Sequence, residues 1–375
     1  MVDLALKTLL HDRTRFAITV AGVAFAVLLV LFQVGLFLGL LDNASVTIEH
    51  IDADLWVTSK NTPNVDFSHA FPESRVERVR SIPGIERADN LIVSFLNIDL
   101  PSGAQEGIIA YALEDFSRWG IPWGKWEGEL SDLRRGDYLF LDESATKRFG
   151  PFEVGEYREV NRERLRIIGR TREAKSFTTT PMAFMDFRLA QRLNAQTMRG
   201  NTTYVLVKLA PGADARVVTD EIRRRLPYND VHTRAAWASK SRSYWVTNTG
   251  LGFNLFITVF LGCLVGIVVV AQTLYTSTME HLKEFGTVKA IGGTNRDIYA
   301  ILTRQAGVSA LIGYVLGAIP ALLIRPVVAG AGLKLILQPS FMAAVLAGTL
   351  VFCVAASLLS FTKVARIDPG LVFRG

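Results

Sequence analysis

The residues whose spacing indicates a specific function lie in the segment 277–294, between two long apolar stretches. Four large apolar residues recur there at every third position: Leu282, Phe285, Val288 and Ile291. Charged residues stand between them: Glu280, Lys283, Glu284 and Lys289. This spacing predicts a short amphipathic helix. Such a helix docks into a groove on a soluble partner or lies flat among lipid headgroups, and periodicity alone favours docking only slightly.

The ends of that segment carry helix stop and start signals. Gly292 and Gly293 are expected to terminate the amphipathic helix. Thr294 with Asp297 resembles a capping box, which predicts that another helix begins there.

No other set of residues has the spacing of a catalytic or metal site. The five histidines are scattered and fit neither a zinc site nor a hydrolase triad: His11, His50, His69, His232 and His281. The chain is therefore not expected to be an enzyme, and no catalytic or metal-binding residue is predicted. We interpret the run Glu49 to Asp54 as a solvated stalk rather than a cation site. Trp119, Trp123 and Trp126 are interpreted as local packing rather than as a surface for a substrate or partner.

The elements that must position the 277–294 segment are apolar stretches. Four uncharged runs are long enough to cross a bilayer, which takes about 20 residues: 16–41, 251–275, 306–324 and 341–361. The first is longer than the h-region of a signal peptide, so we interpret it as a retained span. Cys263 and Cys353 both lie within these runs, where neither a disulfide nor a metal site is expected. The middle of each run carries no ionisable side chain, which argues against an ion-driven transporter.

The flanking charges predict the orientation of the spans. Lys and Arg residues precede the first span, lie between the second and third, and follow the fourth. By the positive-inside rule, three segments are then cytoplasmic: the amphipathic segment 1–15, the loop 276–305 and the tail 362–375. The domain 42–250 and the short loop 325–340 are predicted to lie outside.

The domain 42–250 has the sequence pattern of an α+β fold. Strands are predicted at 53–59, 90–100, 107–113, 137–141, 165–169 and 203–209, and helices at 72–81 and 214–226. Pro101, Ser102 and Gly103 predict a hairpin turn. The stretch 105–190 is more purely β and is interpreted as a subdomain inserted into an outer α/β unit.

Three spans contain a G-x-x-x-G spacing, which permits close approach of two backbones: Gly35 with Gly39, Gly262 with Gly266, and Gly313 with Gly317. These glycines are candidates for helix packing or for a dimer interface. Packing within the four-helix bundle is the favoured interpretation.

A family resemblance extends this reading over nearly the whole chain. The stretch Glu280-x-x-x-Glu284-Phe285-Gly286-x-x-Lys289-Ala290-Ile291-Gly292-Gly293 resembles the coupling-loop signature of FtsX/MacB-type permeases of ABC transporters. The segments 6–26 and 365–375 resemble the DevC-like branch of that family, and the arrangement of one span followed by three matches it.

The resemblance implies a MacB-like periplasmic core domain and a homodimeric permease in the bacterial inner membrane, with both termini cytoplasmic. It also implies an ABC ATPase partner, a HlyD-like membrane-fusion adaptor and in some systems a TolC-like outer-membrane channel. Eight residues would contact the ATPase: Glu280, Glu284, Phe285, Gly286, Lys289, Ala290, Ile291 and Gly292. The chain has no G-x-x-x-x-G-K-[ST] loop, so ATP and Mg²⁺ are expected to be used by the partner, with no cofactor held here.

Two alternatives stay open at this point. One is an FtsX-like mechanotransmitter that regulates an extracytoplasmic cell-wall hydrolase, and the other is a membrane-anchored sensor or receptor. The first would bind a hydrolase instead of an adaptor, and the second would have no ATPase partner. The transported substrate is not indicated by any motif.

Overall fold

The structure is a computed structural model and describes residues 13–124, 126–172, 174–178, 180–280 and 293–364. The chain divides into two compact units. One, here called the helix bundle, comprises residues 1–39 and 253–375. The other, Leu40–Gly252, is here called the sheet domain.

The helices and strands are numbered in chain order. The helices are α1 (Arg13–Asn43), α2 (Val46–His50), α3 (Arg75–Arg80), α4 (Thr146–Phe149), α5 (Phe187–Leu193), α6 (Ala195–Met198), α7 (Ala215–Arg225), α8 (Arg234–Thr247), α9 (Leu251–Glu280), α10 (Asn295–Leu323), α11 (Arg325–Gly330) and α12 (Pro339–Val364). The strands are β1 (Leu55–Ser59), β2 (Phe71–Pro72), β3 (Ile85–Asp99), β4 (Gln105–Leu113), β5 (Tyr138–Asp142), β6 (Tyr157–Val160), β7 (Glu163–Thr171), β8 (Met182–Asp186), β9 (Asn201–Thr202), β10 (Tyr204–Leu209) and β11 (Asn229–Thr233).

Four of the described helices contain stretches long and apolar enough to span a membrane. These stretches are Phe16–Asn43 in α1, Leu251–Thr273 in α9, Asn295–Gly330, which begins with α10, and Pro339–Ser357 in α12. The predicted membrane fold of one span followed by three is therefore confirmed. The helices form at these positions because in lipid a backbone must satisfy its own hydrogen bonds.

The sheet domain is built on one mixed sheet of nine strands, in the order β11-β1-β10-β3-β4-β8-β5-β7-β6. Strands β4 and β5 each have a parallel neighbour, β8 and β7 respectively, whereas the remaining pairs are antiparallel. The strands from residues 105–190 are contiguous in this sheet, and β6 pairs back onto β3, so that β3, β4, β8, β5, β7 and β6 close on themselves. Helices accompany the sheet, so the α+β fold class is confirmed.

The predicted hairpin is present and joins β3 to β4. The two strands pair in antiparallel register from Leu91 opposite Leu113 to Asp99 opposite Gln105. The turn is closed by the Leu100 N–H, which donates to the Ala104 carbonyl at 2.8 Å. Gly103 occupies the left-handed region at φ +83°, which favours glycine over residues with a Cβ.

Both faces of the sheet are buried at its centre, so β4 and β10 are apolar at successive positions, whereas β7 alternates buried and exposed residues. In β3, Leu91 and Val93 belong to one core cluster, whereas Ile92 and Leu96 belong to the other. Successive side chains of a strand point to opposite faces, which explains this division. Helix α5 contributes Phe187 to the second cluster, and other helices of the domain contribute to the first.

The prediction of a solvated stalk at residues 49–54 is wrong. Ile51 and Ala53 are completely buried, since they alternate with polar residues on the approach to β1. Asp52 pairs with Lys208 at 2.5 Å and with Arg87 at 3.3 Å. Those ion pairs hold Asp52 against Arg87 of β3 and Lys208 of β10.

Candidate functional site: the supports of the 281–292 segment

The predicted ATPase-contact residues fall mostly outside the described part of the chain. Glu280 is the last residue of α9, and its backbone is described. The other seven lie outside the described residues: Glu284, Phe285, Gly286, Lys289, Ala290, Ile291 and Gly292. The structure therefore describes this candidate site through the two helices that flank it, α9 before the 281–292 segment and α10 after it.

Helix α9 holds the first end and continues beyond its apolar stretch. That stretch ends at Thr273, whereas the helix ends at Glu280, so the helix extends about 10 Å further. Hydroxyls in this part bond within the helix: Thr273 donates to the Val269 carbonyl at 2.7 Å and Thr276 to the Gln272 carbonyl at 2.9 Å. These bonds satisfy the hydroxyls within the helix, so neither threonine leaves an unpaired polar group as α9 extends beyond the apolar stretch.

Helix α10 holds the second end, and the cap predicted from Thr294 and Asp297 is confirmed. The Asp297 carboxylate accepts from the Thr294 N–H and from the Thr294 hydroxyl, each at 2.8 Å. These bonds fix the residue at which the chain enters α10. One turn later the helix begins to pack, since Ile298 and Leu302 are buried.

The side chains on the buried face of α10 become progressively smaller along the helix. It begins with Ile298 and Leu302, continues through Ala306 and Ala310, and then reaches the predicted glycines. Small residues in membrane helices allow backbones to approach closely, and packing then depends on van der Waals contact.

The glycines of α9 and α10 both meet α1. A Cβ placed on Gly262 would lie 2.8 Å from the Leu29 side chain, and one on Gly266 would lie 2.8 Å from the Ala26 Cβ. From α10, a Cβ on Gly317 would lie 2.5 Å from the Ala24 carbonyl oxygen. Real Cβ atoms essentially never approach this closely. A side chain at Gly317, which faces backbone, would force the helices apart, whereas at Gly262 a rotation of the flexible Leu29 side chain would make room.

Two further glycine sites complete the packing on α1. A Cβ on Gly313 of α10 would lie 2.6 Å from the Val23 side chain. A Cβ on Gly22, in α1 itself, would lie 2.5 Å from the Val269 side chain of α9. Gly22 belongs to no G-x-x-x-G pair, because the residue four positions on is Ala26. Helix α1 is thus held closely by both helices that flank the 281–292 segment.

Gly35 and Gly39 meet an extended segment instead of a helix. The Ile336 N–H donates to the Gly35 carbonyl at 3.0 Å, and Gly39 lies against the Lys334 carbonyl. Leu335 and Leu337 on the same segment are buried in the bundle core. This part of the predicted loop 325–340 therefore packs on α1, a contact between distant residues that no local pattern signals.

The tryptophan cluster is divided between the core and the surface of the sheet domain. Trp119 is completely buried, and its Nε1 donates to Asp89 at 2.9 Å while the Arg87 guanidinium lies 4.8 Å from its ring centroid. Trp123 is also buried, whereas Trp126 is exposed. Among the described residues, no group of three or more His, Cys, Asp or Glu side chains is arranged to hold a metal ion.

Two family models match the chain and together cover most of it. The model of the MacB-like periplasmic core domain matches residues 16–225, and that of the FtsX-like permease C-terminal domain matches residues 256–369. The first runs from α1 through α7, and the second covers the helices on either side of the 281–292 segment.

Relatives and solved structures were found as well. A Mycobacterium tuberculosis protein named as an uncharacterized ABC transporter permease is 26% identical over 366 residues, covering 97% of this chain and 96% of its own. A similarly named Methanocaldococcus jannaschii protein is 19% identical over 345 residues, covering 88% of this chain and 84% of its own. The periplasmic region of MacB from Actinobacillus actinomycetemcomitans matches with a TM-score of 0.39 and 12% identity, over 50% of this chain and 92% of that one. The extracellular domain of the noncanonic ABC-type transporter YknZ from Gram-positive bacteria matches with a TM-score of 0.36 and 13% identity, over 48% of this chain and 99% of that one.

The four apolar helices and the domain inserted between the first and second define a multi-pass membrane protein. Because the MacB-like model matches more than half of its residues and the FtsX-like model matches residues 256–369, the chain belongs to the FtsX/MacB-type permeases of ABC transporters.

Proposed function

We propose that this permease couples ATP hydrolysis by a separate ABC ATPase to export. In this proposal the ATPase binds the eight predicted contact residues, from Glu280 to Gly292, on the cytoplasmic side of a bacterial inner membrane. The sheet domain then works on the outer side with a HlyD-like adaptor and a TolC-like channel, as in the DevC-like branch. Two copies of the permease form the transport unit.

The packing on α1 is the observation that supports coupling. The 281–292 segment is attached to α9 and α10, and both helices meet α1 at glycines that leave no space for a Cβ. Close contacts of this kind couple a displacement of α9 or α10 to α1, because neither helix can approach α1 further at these positions. Helix α1 continues to Asn43, beyond the bundle limit at residue 39, so its chain leads directly into the sheet domain.

The roles within the segment follow from residue chemistry. Phe285 supplies the large apolar side chain that enters the ATPase groove, since aromatic residues contribute most to such contacts. Glu280, Glu284 and Lys289 set the orientation by charge complementarity.

The substitution Phe285→Asp tests this assignment. A charge in an apolar groove costs binding free energy, so we expect the amount of ATPase that copurifies in mild detergent to fall at least about tenfold. Tyr228→Asp is the matched control, since Tyr228 is exposed in the sheet domain. Equal recovery of ATPase with both variants would contradict the assignment.

Mass spectrometry of the same preparations separates the possible outer partners. An ATPase recovered together with a HlyD-like adaptor supports export. An ATPase recovered with a cell-wall hydrolase would instead identify a mechanotransmitter, and the absence of any ATPase would favour a sensor.

A further inference from the structure

A cleft in the sheet domain contains an acidic side chain that the coupling proposal does not use. The cleft has a volume of about 340 Å³, which falls within the usual range for small-molecule sites. Asp66 lines it, together with polar residues such as Ser94 and Asn194 and the aromatic residues Phe67 and Phe95. All of these belong to the sheet domain.

The Asp66 carboxyl group lacks a hydrogen-bond partner within the described part of the chain. Asp66 is only 4% exposed, and its one hydrogen bond there is made by its backbone N–H, which donates to Asn64 Oδ1 at 2.9 Å. A buried carboxylate without donors or a cation is costly. Burial accordingly raises the pKa of Asp66 to about 7.

The surroundings of Asp66 do not supply the missing cation. The hydroxyl of Tyr204 donates to the Val65 carbonyl at 2.9 Å, and the Tyr111 hydroxyl is buried near Thr47. Burial is the main cause of the raised pKa of both tyrosines, and the Asp66 charge adds to the rise. His69, on the cleft wall, is the basic residue among those that line the cleft.

The aromatic residues beside Asp66 are unusually accessible for their type. Phe67 is 39% exposed and Phe95 is 47% exposed, with ring centroids 6.0 Å apart. The inner side of Phe67 packs on Tyr244 and Trp245, so the Phe67 ring is held in place from behind. Such rings attract a cation through their negative faces and an apolar group through burial.

We infer that this cleft binds an organic ammonium ion, whose charged nitrogen pairs with Asp66 and whose apolar part lies against Phe67 and Phe95. A metal ion fits less well, because Ca²⁺ or Mg²⁺ needs several oxygen ligands and the cleft offers one carboxylate. The site goes beyond the proposed coupling function and does not depend on it. It gives the sheet domain a ligand specificity of its own.

The test is calorimetric titration of the full chain in dodecyl maltoside micelles at pH 8, with empty micelles subtracted, because this detergent carries no ammonium group that would compete for the cleft. The probe is 2-phenylethylammonium, and 2-phenylethanol is its neutral isostere. We expect the ammonium compound to bind at least about tenfold more tightly than the alcohol. Asp66→Asn should abolish that preference, whereas Asp99→Asn, the same change at a residue beside the β3–β4 turn that does not line the cleft, should retain it.

Two further measurements keep the result interpretable. Phe95→Ala should weaken ammonium binding several-fold, and because Phe95 is exposed, this variant tests the site even if Asp66→Asn does not fold. Affinity should also fall from pH 8 to pH 6, as Asp66 becomes protonated, and the fall should persist in His69→Gln. Equal binding of the two compounds, or an unchanged preference in a folded Asp66→Asn, would overturn the inference.

Discussion

The sheet domain and the helix bundle fill their interiors in opposite ways. The largest fully buried side chains of the sheet domain include Trp56, Trp119 and Trp237. The bundle core consists mainly of Val, Ala and Leu side chains, with glycines at the closest helix contacts. In water, burial of large apolar surfaces drives folding, whereas in lipid the helices gain mostly from close contact. The sheet domain should therefore be sensitive to lost volume and the bundle to added volume.

The largest effect is expected from removing volume in the sheet domain. Trp56 is completely buried and packs edge-on against Tyr204, with ring centroids 5.6 Å apart. Trp56→Ala should lower the free energy of unfolding of this domain by about 3–5 kcal/mol. Pulse proteolysis in urea, read from fragments of residues 40–252, measures this. Trp56→Phe keeps most of the volume and should cost clearly less; equal losses would show that volume is not the determining factor.

The second effect concerns a buried carboxyl group. The sheet domain contains one in Asp66, whereas the middle of each span has none. The pKa of Asp66 is about 7 when folded and near 3.8 when unfolded. Its contribution to stability is fully present below pH 3.8 and is lost as pH rises to about 7. Asp66→Asn should therefore be more stable than the natural protein at pH 8, by up to about 4 kcal/mol, with little difference near pH 4.

Urea unfolding of both proteins between pH 4 and pH 8 measures that difference. The ligand must be absent, because a bound ammonium ion would stabilise the ionised form. A difference that stays constant with pH would indicate that Asp66 titrates normally.

The third effect comes from adding volume to the bundle. Gly317→Val would place side-chain atoms against Ala24 and Val27 of α1, and overpacking of this kind costs about 1–3 kcal/mol. Gly307→Ala is the control on the same helix, since a Cβ there meets nothing within 4 Å. Steric trapping in bicelles should detect destabilisation by the first change alone. Similar behaviour of the two variants would remove the contrast between bundle and sheet domain.

The smallest effect is expected at the entry to α10. Thr294→Ala removes the hydroxyl that donates to Asp297 and should destabilise the first turn by about 1 kcal/mol. Amide hydrogen exchange in the first turn of α10 should accelerate roughly fivefold, while exchange near Gly317 stays unchanged. Equal acceleration at both places would mean that the helix opens as one unit.

The two regions also differ in how far the sequence predicted them. The four apolar helices were predicted because long uncharged runs are unambiguous, and the β3–β4 hairpin because its turn residues lie between two apolar strands. Strand β8 was missed, since Met182, Ala183 and Met185 are not typical strand formers. Its place beside β4 is decided by pairing between distant residues.

Two parts of the candidate sites were not predictable for a similar reason. The contact of residues 334–337 with Gly35 and Gly39 joins segments about 300 residues apart in the chain. Asp66 follows a turn-rich stretch and has no periodic neighbours, so neither its burial nor the cleft beside it is visible in the sequence. The coupling segment was identified from its motif, and its contact with an ATPase stays a prediction.

Site-specific photo-crosslinking tests the coupling proposal most directly. A photoreactive phenylalanine analogue is placed at position 285 or at the exposed control position 228, the membranes are irradiated, and the adducts are identified by mass spectrometry. We predict an adduct with an ABC ATPase from position 285 and none from position 228. Absence of an ATPase adduct at 285, in cells where a known ABC complex is captured by the same method, would contradict the proposal.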